Sequence, residues 1–147
     1  MIETEGGDTH FAQAPRHAAQ LKALDTMVAA MRDGMGPIWK KTTILVATEF
    51  GRTAAVNGTG GTDHGTASMA MLIGGAVKGG RVLADWPGLT PSKLYQDRDL
   101  RPTLALDALI AGAAAEALGL DGDRLGRSLF GAAIDGKPVR GLCRLPS

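Results

Sequence analysis

The chain has 147 residues, of which 44% are apolar and 21% charged, and its formal net charge is +1. These values predict a globular chain, since they provide neither the basic field of a nucleic-acid surface nor the run of about 18 apolar residues that crosses a bilayer. The single cysteine, Cys143, has no partner for an internal disulfide.

Apolar residues recur at steps of three and four after a short polar start, which predicts a helix from about Pro15 to Arg32. Glycine and proline then end the pattern. The residues that form this stripe are Leu21, Leu24, Val28, Met31 and Met35.

A short β-branched and apolar run, residues 42–48, has no alternation and predicts a central strand covered on both faces in a parallel sheet. Residues 49–66 concentrate glycine, threonine and asparagine, which is typical of a long loop and often of a functional one. Further extended segments are expected at residues 69–73, 81–84 and 1–5.

A second helix is predicted from Asp99, as its N-cap, to a stop at Gly119, with Pro102 in its first turn. A short amphipathic helix is expected at about residues 124–130. Residues from about 132 to 147 indicate an irregular tail.

The order of these segments predicts an α/β fold with a mainly parallel sheet flanked by helices, and residues 1–147 as one domain. Three or four strands are few for a sheet covered on both faces. Either further strands lie outside this chain or the chain associates with copies of itself.

Asp8 and His10 follow two glycines just after a possible strand. An oxygen and a nitrogen donor two residues apart can bind one metal ion. The alternative is that Asp8 caps the next helix and that His10 is a surface residue.

Glu49 and Arg52 stand where the predicted central strand ends, which is where open α/β sheets collect catalytic groups. Glu49 is a candidate metal ligand or general base, and Arg52 a candidate contact for a phosphate or sulfate group. The alternative is that the two form an ion pair with each other.

Asp63 and His64 are flanked by glycines that allow a close approach to a ligand. The alternative is a glycine-rich turn with an incidental Asp-His pair. If Asp8 and His64 bind one ion, their side chains must lie within about 10 Å of each other, because ligand bonds are about 2 Å long.

Five ordered blocks, together with GGDTH at residues 6–10, resemble one bacterial family, the domain-of-unknown-function 1501 family. The blocks are TEFGRT (48–53), NGTGGTDHGT (57–66), GGAVKGGRV (74–82), DWPGL (85–89) and LYQDRDLRPT (94–103).

The resemblance implies an alkaline-phosphatase-like fold in the alkaline phosphatase and sulfatase superfamily, of which this chain would be the C-terminal part. Members of the family are several hundred residues long and are often exported to the periplasm by the twin-arginine route. In the superfamily, two metal ions activate a nucleophile, which would lie in the part that this chain lacks.

By the same resemblance, Asp8, His10 and His64 correspond to metal ligands, and Glu49 lies where an Asp-His pair binds a second ion. Phe50 stands where that superfamily commonly has histidine, so one ligand of the second ion is replaced.

Three readings of function follow. The first is a metal-dependent hydrolase-like module for a small anionic phosphate or sulfate ester, with Zn²⁺ or Mn²⁺ held by Asp8, His10, Asp63 and His64 and with Glu49 and Arg52 assisting catalysis. The second is a non-catalytic binding or assembly module, which Phe50 favours. The third is a fragment that is inactive without the N-terminal portion.

Overall fold

A computed structural model describes residues 2–144 and contains three α-helices and four short strands within them. The first, α1, spans Gln13–Met35, close to the predicted bounds. Its apolar stripe is exposed at Leu21 and only half-buried beyond it, and no residue of α1 is fully buried. No helix within the described residues is both long and apolar enough to cross a bilayer.

The other two helices are α2, Leu106–Leu118, and α3, Gly122–Phe130. Gly119 ends α2 in the left-handed conformation, with φ of 67°, as its position in the sequence predicts. The Asp121 carboxylate caps α3 by accepting a hydrogen bond of 2.8 Å from the backbone N–H of Arg124.

The predicted start of α2 is wrong, because Ala105 and not Asp99 occupies its N-cap position. The Asp99 carboxylate is buried and accepts hydrogen bonds from Thr66 and from the adjacent Arg98, so it is not available to cap a helix.

Four short strands form two separate two-stranded sheets. Strand β1, Ile44–Val46, pairs with β4, Met71–Ile73, and β2, Gly51–Arg52, pairs with β3, His64–Gly65. Both pairings are antiparallel, so the mainly parallel sheet expected from the sequence is not observed within residues 2–144. The side chains of β1 are half-buried, whereas a strand covered on both faces would be fully buried.

The expected strands at the start of the chain and at residues 81–84 are also not formed, since residues 2–5 and 81–84 are irregular. Residue 1 lies outside the described residues. The fold is therefore mixed α/β, with three α-helices and two small antiparallel sheets.

The described residues divide into two compact units. The first comprises residues 2–34, 48–69 and 87–102, and the second comprises residues 35–47, 70–86 and 103–144. The assignment of residues 1–147 to one domain stays a prediction.

The second unit contains an apolar core, built where small residues of α2 meet the chain near its end. Leu142 and Cys143 are 2% and 1% exposed and pack with Ala113. A Cβ added to Gly112 would collide with the backbone of Val139, so glycine permits this close approach. Residues 132–144 contain no helix or strand beyond one isolated bridge, between Cys143 and Val77, and residues 145–147 lie outside the described residues.

The first unit has a polar interior. Its fully buried residues are two glycines, Gly51 and Gly61, and two polar residues, Thr9 and Asp99. Because little apolar surface is buried there, hydrogen bonds and ion pairs carry much of its organisation. The candidate functional residues all lie in this unit.

Candidate metal centre

Glycines allow three backbone segments to approach one another around the β2–β3 pair. A Cβ added to Gly65 would meet the backbone of Arg52 at less than 3.0 Å, and one added to Gly61 would meet the backbone of His10 at a similarly short distance. Arg52 and His64 are direct partners in the ladder. Glycine at these positions therefore brings the Asp63–His64 segment beside both Arg52 and His10.

Asp8, His10 and His64 converge, although 56 positions separate Asp8 from His64. Asp8 Oδ1 lies 2.9 Å from His64 Nε2 and 3.0 Å from His10 Nε2. The two Nε2 atoms lie 3.2 Å apart. The expected proximity of Asp8 and His64 is thus observed, and the three donor atoms form a nearly equilateral triangle.

This triangle has the size of one face of a metal coordination sphere. Bonds of about 2.1 Å place neighbouring donors about 3.0 Å apart in octahedral and about 3.4 Å apart in tetrahedral geometry. The spacing of the three donors therefore fits one ion above the triangle. The side chains are 45–49% exposed, which leaves the opposite side open to further ligands.

Arg52 holds Asp8 in place. Its guanidinium group donates to Asp8 Oδ1 at 2.9 Å, to the carbonyl oxygen of Gly7 at 3.1 Å and to that of Thr62 at 3.0 Å. The hydrogen bond with His64 and, to a smaller extent, that with Arg52 lower the pKa of Asp8 against the opposing effect of desolvation. These contacts favour the charged carboxylate that a cation requires.

Asp63 lies beside His10 but outside the triangle. Its Oδ1 atom is 3.3 Å from His10 Nδ1, the ring nitrogen that does not face Asp8, and accepts a hydrogen bond of 3.0 Å from Asn57 Nδ2. The bonds from Asn57 and His10 lower the pKa of Asp63. The structure thus places Asp63, a predicted ligand, next to the His10 nitrogen that points away from the triangle.

Asn57 was not predicted from the sequence, yet it joins the loop to the His10 segment. Its Nδ2 group donates to the His10 carbonyl oxygen at 2.9 Å, and its Oδ1 atom accepts from the backbone N–H groups of Thr59 and Gly61, both at 3.0 Å. The Asn-Gly pair at residues 57–58 is a known turn signal that indicates such a role.

Phe50 stacks on one face of the His64 ring, with centroids 4.0 Å apart and an interplanar angle of 16°. The Arg52 guanidinium lies over the Phe50 ring, 4.9 Å from its centroid. The stack fixes the plane of the His64 ring, so Nε2 keeps its direction towards Asp8.

Glu49, the predicted general base or ligand, is exposed and takes part in no hydrogen bond or ion pair within residues 2–144. The alternative ion pair between Glu49 and Arg52 is not formed, because Arg52 binds Asp8 instead. Catalytic roles for Glu49 and Arg52 stay predictions.

The buried Asp99 supports the far end of the loop. Its carboxylate accepts hydrogen bonds from Thr66 Oγ1 at 2.8 Å and from Arg98 Nε at 2.7 Å. Burial raises the pKa of Asp99, but the bonds from Arg98 and Thr66 outweigh burial and hold the pKa below its ordinary value. Arg98 also approaches the His64 carbonyl oxygen, at 3.5 Å. Asp99 thus ties down the chain two residues beyond His64.

Gly61→Ala should displace the loop and weaken metal binding, because the new methyl group would collide with the His10 backbone. Overpacking of this kind costs about 1–3 kcal/mol. Gly58→Ala is a matched control, since its Cβ would meet nothing within 4 Å. Calorimetric titration with Zn²⁺ would measure both variants, and equal affinities would contradict the expected role of Gly61.

Comparison with known proteins gives one family-level match. A family model described as "Protein of unknown function (DUF1501)" matches residues 2–129. No curated protein and no solved structure matches significantly. The matched range contains the whole candidate site and extends almost to the end of α3.

Proposed function

The chain belongs to the family described as "Protein of unknown function (DUF1501)", and we propose that it binds one divalent metal ion through Asp8, His10 and His64 for the hydrolysis of a small phosphate or sulfate ester. The observation that carries the proposal is the triangle of three donor atoms with edges of 2.9, 3.0 and 3.2 Å.

The chemistry of the donors supports a divalent ion. Two imidazoles and one carboxylate suit Zn²⁺ and Mn²⁺, and an open side of the site is typical of catalytic rather than structural centres. A bound ion would polarise an ester oxygen and lower the pKa of a coordinated water. Asp8 supplies negative charge, Arg52 holds it in place, and Phe50 fixes the plane of His64.

The proposal includes membership of the alkaline phosphatase and sulfatase superfamily, with this chain as the C-terminal part of the fold. It rests on the sequence blocks around TEFGRT and NGTGGTDHGT. Under this proposal the attacking nucleophile and the partner strands come from protein outside the described residues. The substrate would be a small anionic ester.

A non-catalytic metal-binding module is the second candidate. Phe50 stacks on one face of the His64 ring, and Glu49 forms no hydrogen bond or ion pair with the three donors within the described residues. Such a module would hold the ion for binding or assembly.

Removal and return of the metal would test the proposal. The protein would be stripped with a chelator, dialysed and reloaded with Zn²⁺ or Mn²⁺, and its metal content measured by mass spectrometry. We expect close to one ion per chain. Faster hydrolysis of p-nitrophenyl phosphate or sulfate after reloading is expected of a longer protein that also supplies the nucleophile. A bound ion without hydrolysis by that longer protein would favour the second candidate, whereas no bound ion would refute both.

A further inference from the structure

The two ring nitrogens of His10 face different groups. Nε2 lies 3.0 Å from Asp8 Oδ1 and 3.2 Å from His64 Nε2, inside the triangle. Nδ1 lies 3.3 Å from Asp63 Oδ1, outside it. A neutral imidazole that binds a metal ion through one ring nitrogen carries its proton on the other nitrogen. A hydrogen-bond acceptor beside Nδ1 therefore keeps the proton on Nδ1 and leaves Nε2 as the nitrogen that can bind the metal ion.

Hydrogen bonds hold Asp63 beside the Nδ1 atom of His10. Asn57 Nδ2 donates to the same Oδ1 atom at 3.0 Å. The backbone of Asp63 is fixed on both sides by Thr53, whose hydroxyl accepts from the Asp63 N–H at 3.1 Å and whose N–H donates to the Asp63 carbonyl oxygen at 3.0 Å. The Asp63 backbone is thus fixed, and one hydrogen bond from Asn57 holds its carboxylate beside the His10 ring.

Asn57 also holds His10 itself. The same Nδ2 group donates to the His10 carbonyl oxygen at 2.9 Å, and Thr59 Oγ1 donates to that oxygen at 2.8 Å. One amide group thus connects the backbone of His10 with the carboxylate that faces its ring. Removing the Asn57 side chain would take one hydrogen bond from the His10 carbonyl oxygen and one from the Asp63 carboxylate.

We infer that Asp63 and Asn57 are positioning residues that keep His10 in the Nδ1–H tautomer, with the Nε2 lone pair directed at the metal ion. This inference rests on the proposed metal site and changes the predicted role of Asp63 from ligand to partner of a ligand. Metal-bound histidines commonly donate their second N–H to a carboxylate, which orients the ring and increases its basicity.

Nitrogen NMR of the wild-type protein loaded with Zn²⁺ would test the tautomer directly. Long-range correlations in protein labelled with ¹⁵N at histidine should show His10 with a protonated Nδ1 and a metal-bound Nε2. A metal-bound Nδ1 would overturn the inference and leave the proposed metal site intact. Failure of the wild type to bind Zn²⁺ would overturn both.

Substitutions would measure the size of the effect. Asp63→Ala should weaken Zn²⁺ binding about 10–100-fold, the usual cost of losing such a partner. Asp63→Asn should lose less, because its amide oxygen can still accept from Nδ1. Asp25→Ala, in an exposed position on α1, is the matched control and should bind like the wild type.

Circular dichroism would establish that each variant is folded. Wild-type affinity in folded Asp63→Ala would overturn the inference, as would equal losses in Asp63→Ala and Asp63→Asn. The tautomer measurement uses only wild-type protein and decides the matter even if Asp63→Ala does not fold.

Discussion

His64→Ala is expected to bind Zn²⁺ at least about 100-fold more weakly than the wild type, because loss of a ligand should cost more than the 10–100-fold typical of its outer partners. The substitution removes Nε2, which lies 2.9 Å from Asp8 Oδ1 and 3.2 Å from His10 Nε2. Two of the three proposed donors then remain. Calorimetric titration and metal content after dialysis would both measure the loss.

His17→Ala is the matched control, since His17 is the one histidine of the sequence outside the candidate site and is exposed on α1. It should retain wild-type affinity and metal content. Equal binding by wild type and His64→Ala would show that the three converging side chains are not the metal centre. Equal losses in His64→Ala and His17→Ala would point instead to non-specific binding by histidine.

The types of residue at the site could be predicted from the sequence, but their roles could not. Asp8 and His64 stand in glycine-rich segments that also contain His10 and Asp63, and these segments do meet. Which carboxylate faces which nitrogen depends on the crossing of Gly61 over the His10 backbone, a tertiary contact that leaves no local pattern. The role of Asp63 as a ligand therefore stays a prediction, and the contacts of Asn57 follow from the tertiary structure.

The helices were predicted more successfully than the sheets. The period of α1 and the glycine that ends α2 are local signals, and α1 and the end of α2 lie near their expected positions, whereas the predicted start of α2 is wrong. The run of residues 42–48 is compatible with parallel and antiparallel pairing alike, since composition does not report strand direction. Its partner in the structure, β4, is antiparallel.

Glu116 shows a second kind of contact that sequence patterns do not reveal. It is a lone acidic residue late in the apolar helix α2, and its carboxylate accepts hydrogen bonds from the backbone N–H groups of Gly141, Leu142 and Cys143. Leu142 and Cys143 belong to the core of the second unit. One side chain thus anchors the irregular segment that completes this core.

Glu116→Ala should lower the free energy of unfolding by about 3 kcal/mol or more, because each buried N–H left without a partner costs about 1–3 kcal/mol. Glu116→Gln should be intermediate, since its amide offers one acceptor oxygen. Glu5→Ala, at an exposed position, is the control. Urea denaturation would measure all three, and a Glu116→Ala variant as stable as the control would contradict the anchoring role.

The same contact predicts how stability depends on pH. Burial raises the pKa of Glu116, but the hydrogen bonds from Cys143, Gly141 and Leu142, together with the charge of Lys78, outweigh burial and hold the pKa below its ordinary value of 4.5. A carboxyl group with a lowered pKa in the folded state contributes stability above the pKa of the unfolded chain and loses it as pH falls through the folded pKa. Wild-type protein should therefore lose stability below about pH 4.5 more steeply than Glu116→Gln, which has no proton to gain there. Parallel curves for the two proteins in acid would show that the anchor works without its charge.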